Sequence, residues 1–334
     1  MEDTNLSTSP PETMMPQSHP SPLHRRLARS TAVPALALAT LWAASARVSA
    51  QSSYIQNFNS QTAGNTATGF TEVRPVNATT GVTGLGAVII NQSPGDNALN
   101  LYDYLNVDSG GNARVQQDIT ASSLAMVSLD FQRNADLTIN TSTASTQALY
   151  VAFGLNGQGI ETSGNRLFEV RLYNNGRYRI NRGIQDGLGG LSSTGLDAAG
   201  TFEASGTTFG THTLRIYAHS GLPGDAAVGY TGPDSVARFL DANSFSVFIN
   251  GTFINPTTGA TASGNFGMLQ SATYSTASDI GRFGLLTGGA SSVTGVDFVV
   301  DNILVLTQVP EASTGWAILP TGLALLAWRR LRSR

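Results

Sequence analysis

The 334-residue chain contains no cysteine and no lysine. Without cysteine there is neither a disulfide staple nor thiolate chemistry, so an exported form of this protein must draw its stability from one large apolar core. Without lysine, all 19 positive charges are arginines, a bias of composition before it is a motif. Glycine is missing from the first 50 residues, yet 34 glycines fall between Gln51 and Gln308, nearly twice the usual ~7 %. That middle stretch also lacks helical periodicity over any dozen residues. What it holds instead is abundant Thr, Ser and Asn broken by short β-branched and aromatic runs, the pattern of many strands joined by many turns. Its 258 residues suit a single sandwich or barrel. Eleven arginines against 18 acidic residues leave it with a net charge near −7, which argues against a nucleic-acid partner.

The two ends differ from the middle. Residues 1–50 place Arg25, Arg26 and Arg29 before an apolar run from Ala32 to Ala44, and Val48-Ser49-Ala50 precedes Gln51. This order predicts a signal peptide with a long n-region, exported by the Sec machinery and cleaved after Ala50. Thirteen apolar residues reach only ~20 Å as a helix, short of a ~30 Å hydrocarbon core. Residues 309–334 run Val309-Pro310-Glu311-Ala312-Ser313-Thr314, then an apolar stretch from Gly315 to Trp328, then Arg329, Arg330, Arg332 and Arg334. A short polar motif, a short apolar helix and a basic terminus make a three-part sorting signal, with the arginines expected on the cytoplasmic side of the inner membrane.

That order resembles the sorting tail of PEP-CTERM proteins. The resemblance implies a membrane-embedded exosortase as partner, cleaving near the motif after the helix has held the precursor in the membrane. Pro310 and Glu311 match the motif, and Ala312 stands where its second proline would be.

The middle, residues 51–308, is expected to be one all-β ectodomain, an antiparallel two-sheet sandwich. Strand candidates run from Tyr54 to Phe58, Ala87 to Ile90, Leu99 to Val107, Ala113 to Ile119, Leu124 to Phe131, Ala148 to Leu155 and Arg166 to Tyr173. They continue from Arg177 to Asn181, Thr211 to Ala218, Ser235 to Leu240, Phe245 to Ile249, Thr252 to Ile254, Ile280 to Leu286 and Val296 to Leu306. No repeat period is visible, which speaks against a propeller or solenoid. Two hairpins have a predictable register. Asn250-Gly251 suits a two-residue type I′ turn, which pairs Ile249 with Thr252 and makes the face of Phe245, Val247 and Ile249 apolar, with Ser244 and Ser246 turned to the other side. Around Asn174-Asn175-Gly176, a three-residue loop with Gly176 in the left-handed region pairs Leu172 with Tyr178 and Val170 with Ile180. A two-residue loop would mix polar and apolar faces.

Phe245-Ser-Val-Phe-Ile-Asn-Gly-Thr, with Val296-Asp-Phe-Val-Val-Asp-Asn-Ile-Leu-Val-Leu near the end, is similar to phrases of the concanavalin A-like (laminin G-like) jelly rolls. The resemblance implies a jelly roll in which the last strand pairs beside the strand at Tyr54 to Phe58.

Catalytic patterns are sparse. His212 and His219 flank one strand, seven residues apart, a spacing that does not let them share a metal without the chain folding back, and both are expected to face solvent. No strand carries the spaced carboxylates of jelly-roll glycoside hydrolases, and no nucleophile elbow is present, so the domain is expected not to be an enzyme. No cofactor is expected, with calcium as the one ion considered: Asp103, Asn106 and Asp108 form the densest loop group of oxygen ligands, followed by Asn134 with Asp136. The three-residue register sets Tyr173 opposite Arg177 and Arg171 opposite Arg179 on the face away from the core, with Arg215 and Tyr217 joining them if their strand is a neighbour. Guanidinium forks beside tyrosine rings make a candidate site for an acidic exopolysaccharide, unless Glu169 and other acids neutralise the arginines. Three functions remain open: an exported, non-catalytic surface or matrix protein associated with exopolysaccharide and biofilm, a glycan-binding lectin-like module, and a divergent carbohydrate-active enzyme.

The secreted form is predicted to begin at Gln51 and, where an exosortase is present, to lose the segment after Glu311. Intact-mass measurement on protein from the native host checks this, and a dominant species retaining Arg334 is the contrary result. Pro310→Ala should leave the precursor in the membrane.

Overall fold

The computed structural model describes residues 52–74, 84–103, 112–134, 148–155, 157–161, 165–182, 196–204, 209–222, 224–257, 260–268, 279–288 and 296–307. The expected signal peptide, the expected sorting motif Val309 to Thr314, the basic tail, Asn106, Asp108 and Asp136 lie outside these residues.

Every element among the described residues is a strand or a turn. In chain order the strands are β1 (Ser52–Gln56), β2 (Glu72–Arg74), β3 (Leu85–Ser93), β4 (Asp96–Asp103), β5 (Arg114–Ser122) and β6 (Leu124–Arg133). Next come β7 (Leu149–Leu155), β8 (Arg166–Leu172), β9 (Arg177–Arg182), β10 (Leu196–Thr201), β11 (His212–His219) and β12 (Val228–Thr231). The last six are β13 (Ala237–Leu240), β14 (Ser244–Ile249), β15 (Thr252–Phe253), β16 (Phe266–Gly267), β17 (Ile280–Thr287) and β18 (Val296–Thr307). One sheet has the order β15-β14-β11-β6-β18-β4-β3, with β1 also paired to β18 and β16 to β14. The other runs β10-β9-β8-β7-β17-β5-β2, and β12-β13 form a separate ribbon. All pairs are antiparallel, and the chain passes between the two large sheets from β1 to β2, β2 to β3, β4 to β5, β5 to β6, β6 to β7, β10 to β11, β16 to β17 and β17 to β18. This is the jelly-roll sandwich expected from the sequence.

The core lies between the sheets and follows the alternation of the strands. Val127, Leu129, Phe131, Leu214, Ile216, Phe245 and Val247 face inward from one sheet, and Val115, Phe153, Phe168, Val170, Leu172 and Phe283 from the other. Phe168 and Phe245 stack across the gap with ring centroids 4.0 Å apart and planes at 8°.

Both hairpin registers hold. Asn250 (φ 52°) and Gly251 (φ 75°) make the tight turn, and Ile249 pairs with Thr252. At the other hairpin Leu172 pairs with Tyr178, Val170 with Ile180 and Arg171 with Arg179. The last strand pairs with the first as expected, Tyr54 opposite Val305 and Gln56 opposite Ile303.

The outer face of the nine-stranded sheet departs from expectation. Alternation turns Ser244 and Ser246 away from the core, which would leave them in solvent, but both are buried, Ser246 at 0 % exposure. The β12-β13 ribbon folds over that face, and Tyr230 and Leu240 pack with Met126, Tyr217 and Phe248 in a second apolar cluster. The Ser246 hydroxyl donates to Asn265 Oδ1 at 2.6 Å. The two histidines are likewise buried rather than solvent-facing. His212 lies 2.9 Å from the Asn250 amide, ring nitrogen to nitrogen, while His219 Nδ1 is 3.4 Å from the Leu240 carbonyl beneath the ribbon.

Val247→Asp buries an unpaired charge in the central core and should cost several kcal/mol, about the largest effect a point change has here. Ser246→Asp should also lower the denaturant midpoint clearly, because its side is closed by the ribbon. Thr252→Asp, on an exposed residue of the turn, should stay within ~0.5 kcal/mol.

Candidate functional site

The outer face of the seven-stranded sheet carries most of the described arginines, and the β8-β9 hairpin organises them. Its loop closes with Gly176 at φ 77°, and the Gly176 N–H donates to the Tyr173 carbonyl at 3.0 Å. A side chain at Gly176 would also strike the Glu203 carbonyl, so glycine is required there twice over. Arg133 of β6, 1 % exposed, reaches across from the other sheet. Its Nη1 donates to the Asn174 carbonyl, while its Nε donates to Glu203 Oε2 at 2.6 Å. A buried ion pair thus clamps the hairpin tip to the far sheet.

Behind the tip, Tyr150, Arg171 and Arg179 stand in one row across β7, β8 and β9. Arg171 does not face Arg179 as a bare charge. Glu169, 3 % exposed, accepts from Arg171 Nε at 2.6 Å, from Arg166 Nη1 at 2.6 Å and from the Asn181 amide at 3.1 Å. Both guanidiniums also lie over the Tyr150 ring, at 5.2 Å for Arg166 and 4.8 Å for Arg171. Burial alone would raise the Glu169 carboxyl, but the Arg171 and Arg166 charges and the Asn181 hydrogen bond outweigh it and hold it below the usual carboxylate range. Burial pushes the Tyr150 hydroxyl the other way, to about 12. The neutralisation of this cluster by Glu169 is therefore real, but it serves Arg166 and Arg171.

Arg177 and Arg179 are left over. Among the described residues no carboxylate forms an ion pair with either. They line a cavity of about 330 Å³ together with Tyr173, Asn175, Tyr178, Ala199, Gly200 and Thr201. β10 forms its open side, with Ala199 opposite Arg179 and Thr201 opposite Arg177. Three of the six predicted glycan-site residues, Tyr173, Arg177 and Arg179, thus come together, and Arg171 borders them in a saturated state.

The other two do not join. β11 belongs to the nine-stranded sheet, so Arg215 and Tyr217 sit on the opposite side of the sandwich. Tyr217 lies beneath the ribbon, 4.4 Å from the Tyr230 ring, with its hydroxyl donating to the Thr231 carbonyl. Asp103 is turned inward rather than out to a loop: it is buried and accepts from the Thr287 hydroxyl at 3.2 Å. The Asn134 amide donates to the buried Asp297, which also accepts from Asn100. Among the described residues no group of three or more His, Asp or Glu side chains is placed to hold a metal ion. A second cleft of about 220 Å³ on the nine-stranded sheet is lined by Asp96, Asp130 and Asp301 with Asn59, Gln92 and Asn302. There burial, then the charges of Asp96 and Asp130, raise the Asp301 carboxyl.

The fold is an antiparallel two-sheet jelly-roll sandwich. No protein-family model matches the chain, and no curated protein does. Among solved structures it is similar to an endo-β-1,4-glucuronan lyase from the fungus Trichoderma reesei, at 11 % identity over 76 % of this chain and 95 % of that one, with a TM-score of 0.41. The carbohydrate recognition domain of Emp47p matches at 11 % identity over 77 % and 95 % of the two chains, TM-score 0.36. The globular domain of T. cruzi calreticulin matches at 10 % identity over 77 % and 88 %, TM-score 0.34. At these scores the matches assign no site or activity to this chain.

Glu169→Gln should destabilise the protein by about 3–5 kcal/mol near neutral pH, as breaking a buried ion pair does. Because the folded carboxyl lies below its ordinary value, the stability it adds is present above the unfolded carboxyl's pKa and is lost as pH falls through the folded one. The gap between wild type and variant in urea denaturation should therefore shrink at strongly acidic pH.

Proposed function

We propose that this protein is an exported, non-catalytic surface or matrix module that holds an anionic polysaccharide at the β8-β9-β10 end of its seven-stranded sheet. The reading rests on one observation: a cavity lined by Tyr173, Arg177 and Arg179 in which, among the described residues, neither arginine has an acidic partner, within a stretch of net charge near −7. Two guanidinium forks with no carboxylate of the described residues beside them can meet an external anion bidentately. The absence of catalysis is part of the proposal. Glu169, the nearby buried carboxylate, is saturated by three donors and has a depressed pKa, which fits a structural anchor better than a proton donor. Export and exosortase sorting enter through the resemblance of Val309 to Arg334 to a PEP-CTERM tail, which would display the module outside the cell among exopolysaccharide.

Titration of the full-length protein with alginate tests the site. The Arg177→Ala/Arg179→Ala variant should bind about tenfold to a hundredfold more weakly, in line with ~1.5–3 kcal/mol for a hydrogen bond to a charged group. Wild-type binding should weaken as salt rises. Unchanged affinity in the variant, or no binding by wild type, would overturn the reading.

A further inference from the structure

Tyr173 lines the cavity and is 5 % exposed, yet among the described residues its buried hydroxyl has no hydrogen-bond partner. A phenol O–H shut away from water and left unpaired opposes folding, and such groups in native proteins call for an explanation. Tyr173 stands opposite Arg177 across the hairpin, where its N–H donates to the Arg177 carbonyl at 2.9 Å. Arg179 is therefore its diagonal neighbour on the same face, a separation of ~7–8 Å that long side chains bridge. Between them the side chains leave a gap: Arg171 is engaged by Glu169, and β10 contributes the short side chains of Ala199 and Thr201.

The donors around this gap match one kind of group. A guanidinium presents two parallel N–H bonds in a plane, and a carboxylate accepts them with two oxygens in the same plane while retaining a lone pair for a short bond from a hydroxyl. Arg179 and Tyr173 approach from the β8-β9 side, while Ala199 offers only a methyl group from β10. The neighbouring Glu169 charge, held beneath Arg171, also favours an anion that stays at the Arg179 side of the row.

We propose that the cavity over β9 and β10 takes the carboxylate of a uronic acid unit within a polysaccharide, with Arg179 receiving it as a fork and the Tyr173 hydroxyl, uncovered by a small side-chain shift as the ligand enters, donating to its outer oxygen. The assignment rests on the anionic-polysaccharide reading above and narrows it. Arg177, exposed at the rim, draws the chain in electrostatically. The saturated Arg171 is a positioning residue that keeps Glu169 away from the ligand.

Three probes separate the two claims: polygalacturonate, its carboxyl-reduced neutral product, and dextran sulfate, each titrated into the full-length protein by calorimetry. Polygalacturonate should bind at least tenfold more tightly than the other two. Tyr173→Phe should weaken that binding several-fold without changing the affinity for dextran sulfate, which separates a lost hydrogen bond from a general loss of charge. Ala199→Trp fills the gap from an exposed position and should abolish polygalacturonate binding with an unchanged thermal midpoint. Equal affinity for the carboxylated and sulfated polymers, or a silent Tyr173→Phe, would overturn the uronate assignment and leave the anionic-polysaccharide reading standing. Failure of all three probes to bind would remove both.

Discussion

Ladder pairing along β18 joins strands from opposite ends of the chain, and the rest of the sandwich is built out from it. β6 runs beside β18 over nearly its whole length, from Phe298 opposite Arg133 to Thr307 opposite Ala125. The other edge is divided, with β4 against Val296 to Val300 and β1 against Ile303 to Thr307. The change of neighbour falls at a bulge between Asp301 and Leu304, where Asn302 takes φ 51° and its amide holds Asp130 at 2.8 Å. From β6 the ladder continues to β11 and β14, and the facing sheet packs on the apolar side that these strands present. Because β18 is among the last segments of the chain, the central contacts of the nine-stranded sheet form only once almost all of it is available, a topology rich in non-local contacts and slow to fold.

At the β8 end of the facing sheet, charge is sorted by one buried acid, whereas Glu72 and Asp118 pair the arginines of β2, β5 and β17. Glu169 holds two arginines of β8 against the Tyr150 ring and so removes them from the surface chemistry. The neighbouring strand β9 has no equivalent acid, and Arg177 and Arg179 remain available. One strand thus supplies rigidity and the next supplies unsatisfied charge, and the Arg133–Glu203 pair pins the turn between them to the other sheet.

Turn chemistry made part of this legible in advance. Asn250-Gly251 and Gly176 occupy left-handed positions that few other residues tolerate, so the registers of both hairpins follow from the turns, and with them the facing of Arg171, Arg179 and Tyr173. Alternation says which way a side chain points but not what lies over it. Hence Ser246 and His219 read as solvent-facing although a ribbon covers them. Nor does alternation say which sheet a strand joins, so Arg215 and Tyr217 read as neighbours of Arg171 although β11 lies in the other layer. The cavity wall was hidden for a compositional reason: Leu196–Thr201 has almost no β-branched or aromatic content, so nothing marks it as a strand before its pairing with β9 is seen.

Thr307, the last described residue of β18, lies in the middle of a sheet rather than at its margin, opposite Ser52 of β1 and Ala125 of β6. Antiparallel hydrogen bonds lie across the strand axis, so a pull on that end along β18 meets the whole ladder at once, in shear. β10, bonded on one side only at the far margin of its sheet, would peel away bond by bond under a pull across its length. If the chain is held at its C-terminal end and grips a polymer through β9 and β10, as proposed, the tether would be the mechanically strong attachment, and the polymer side would yield first, before the fold opens.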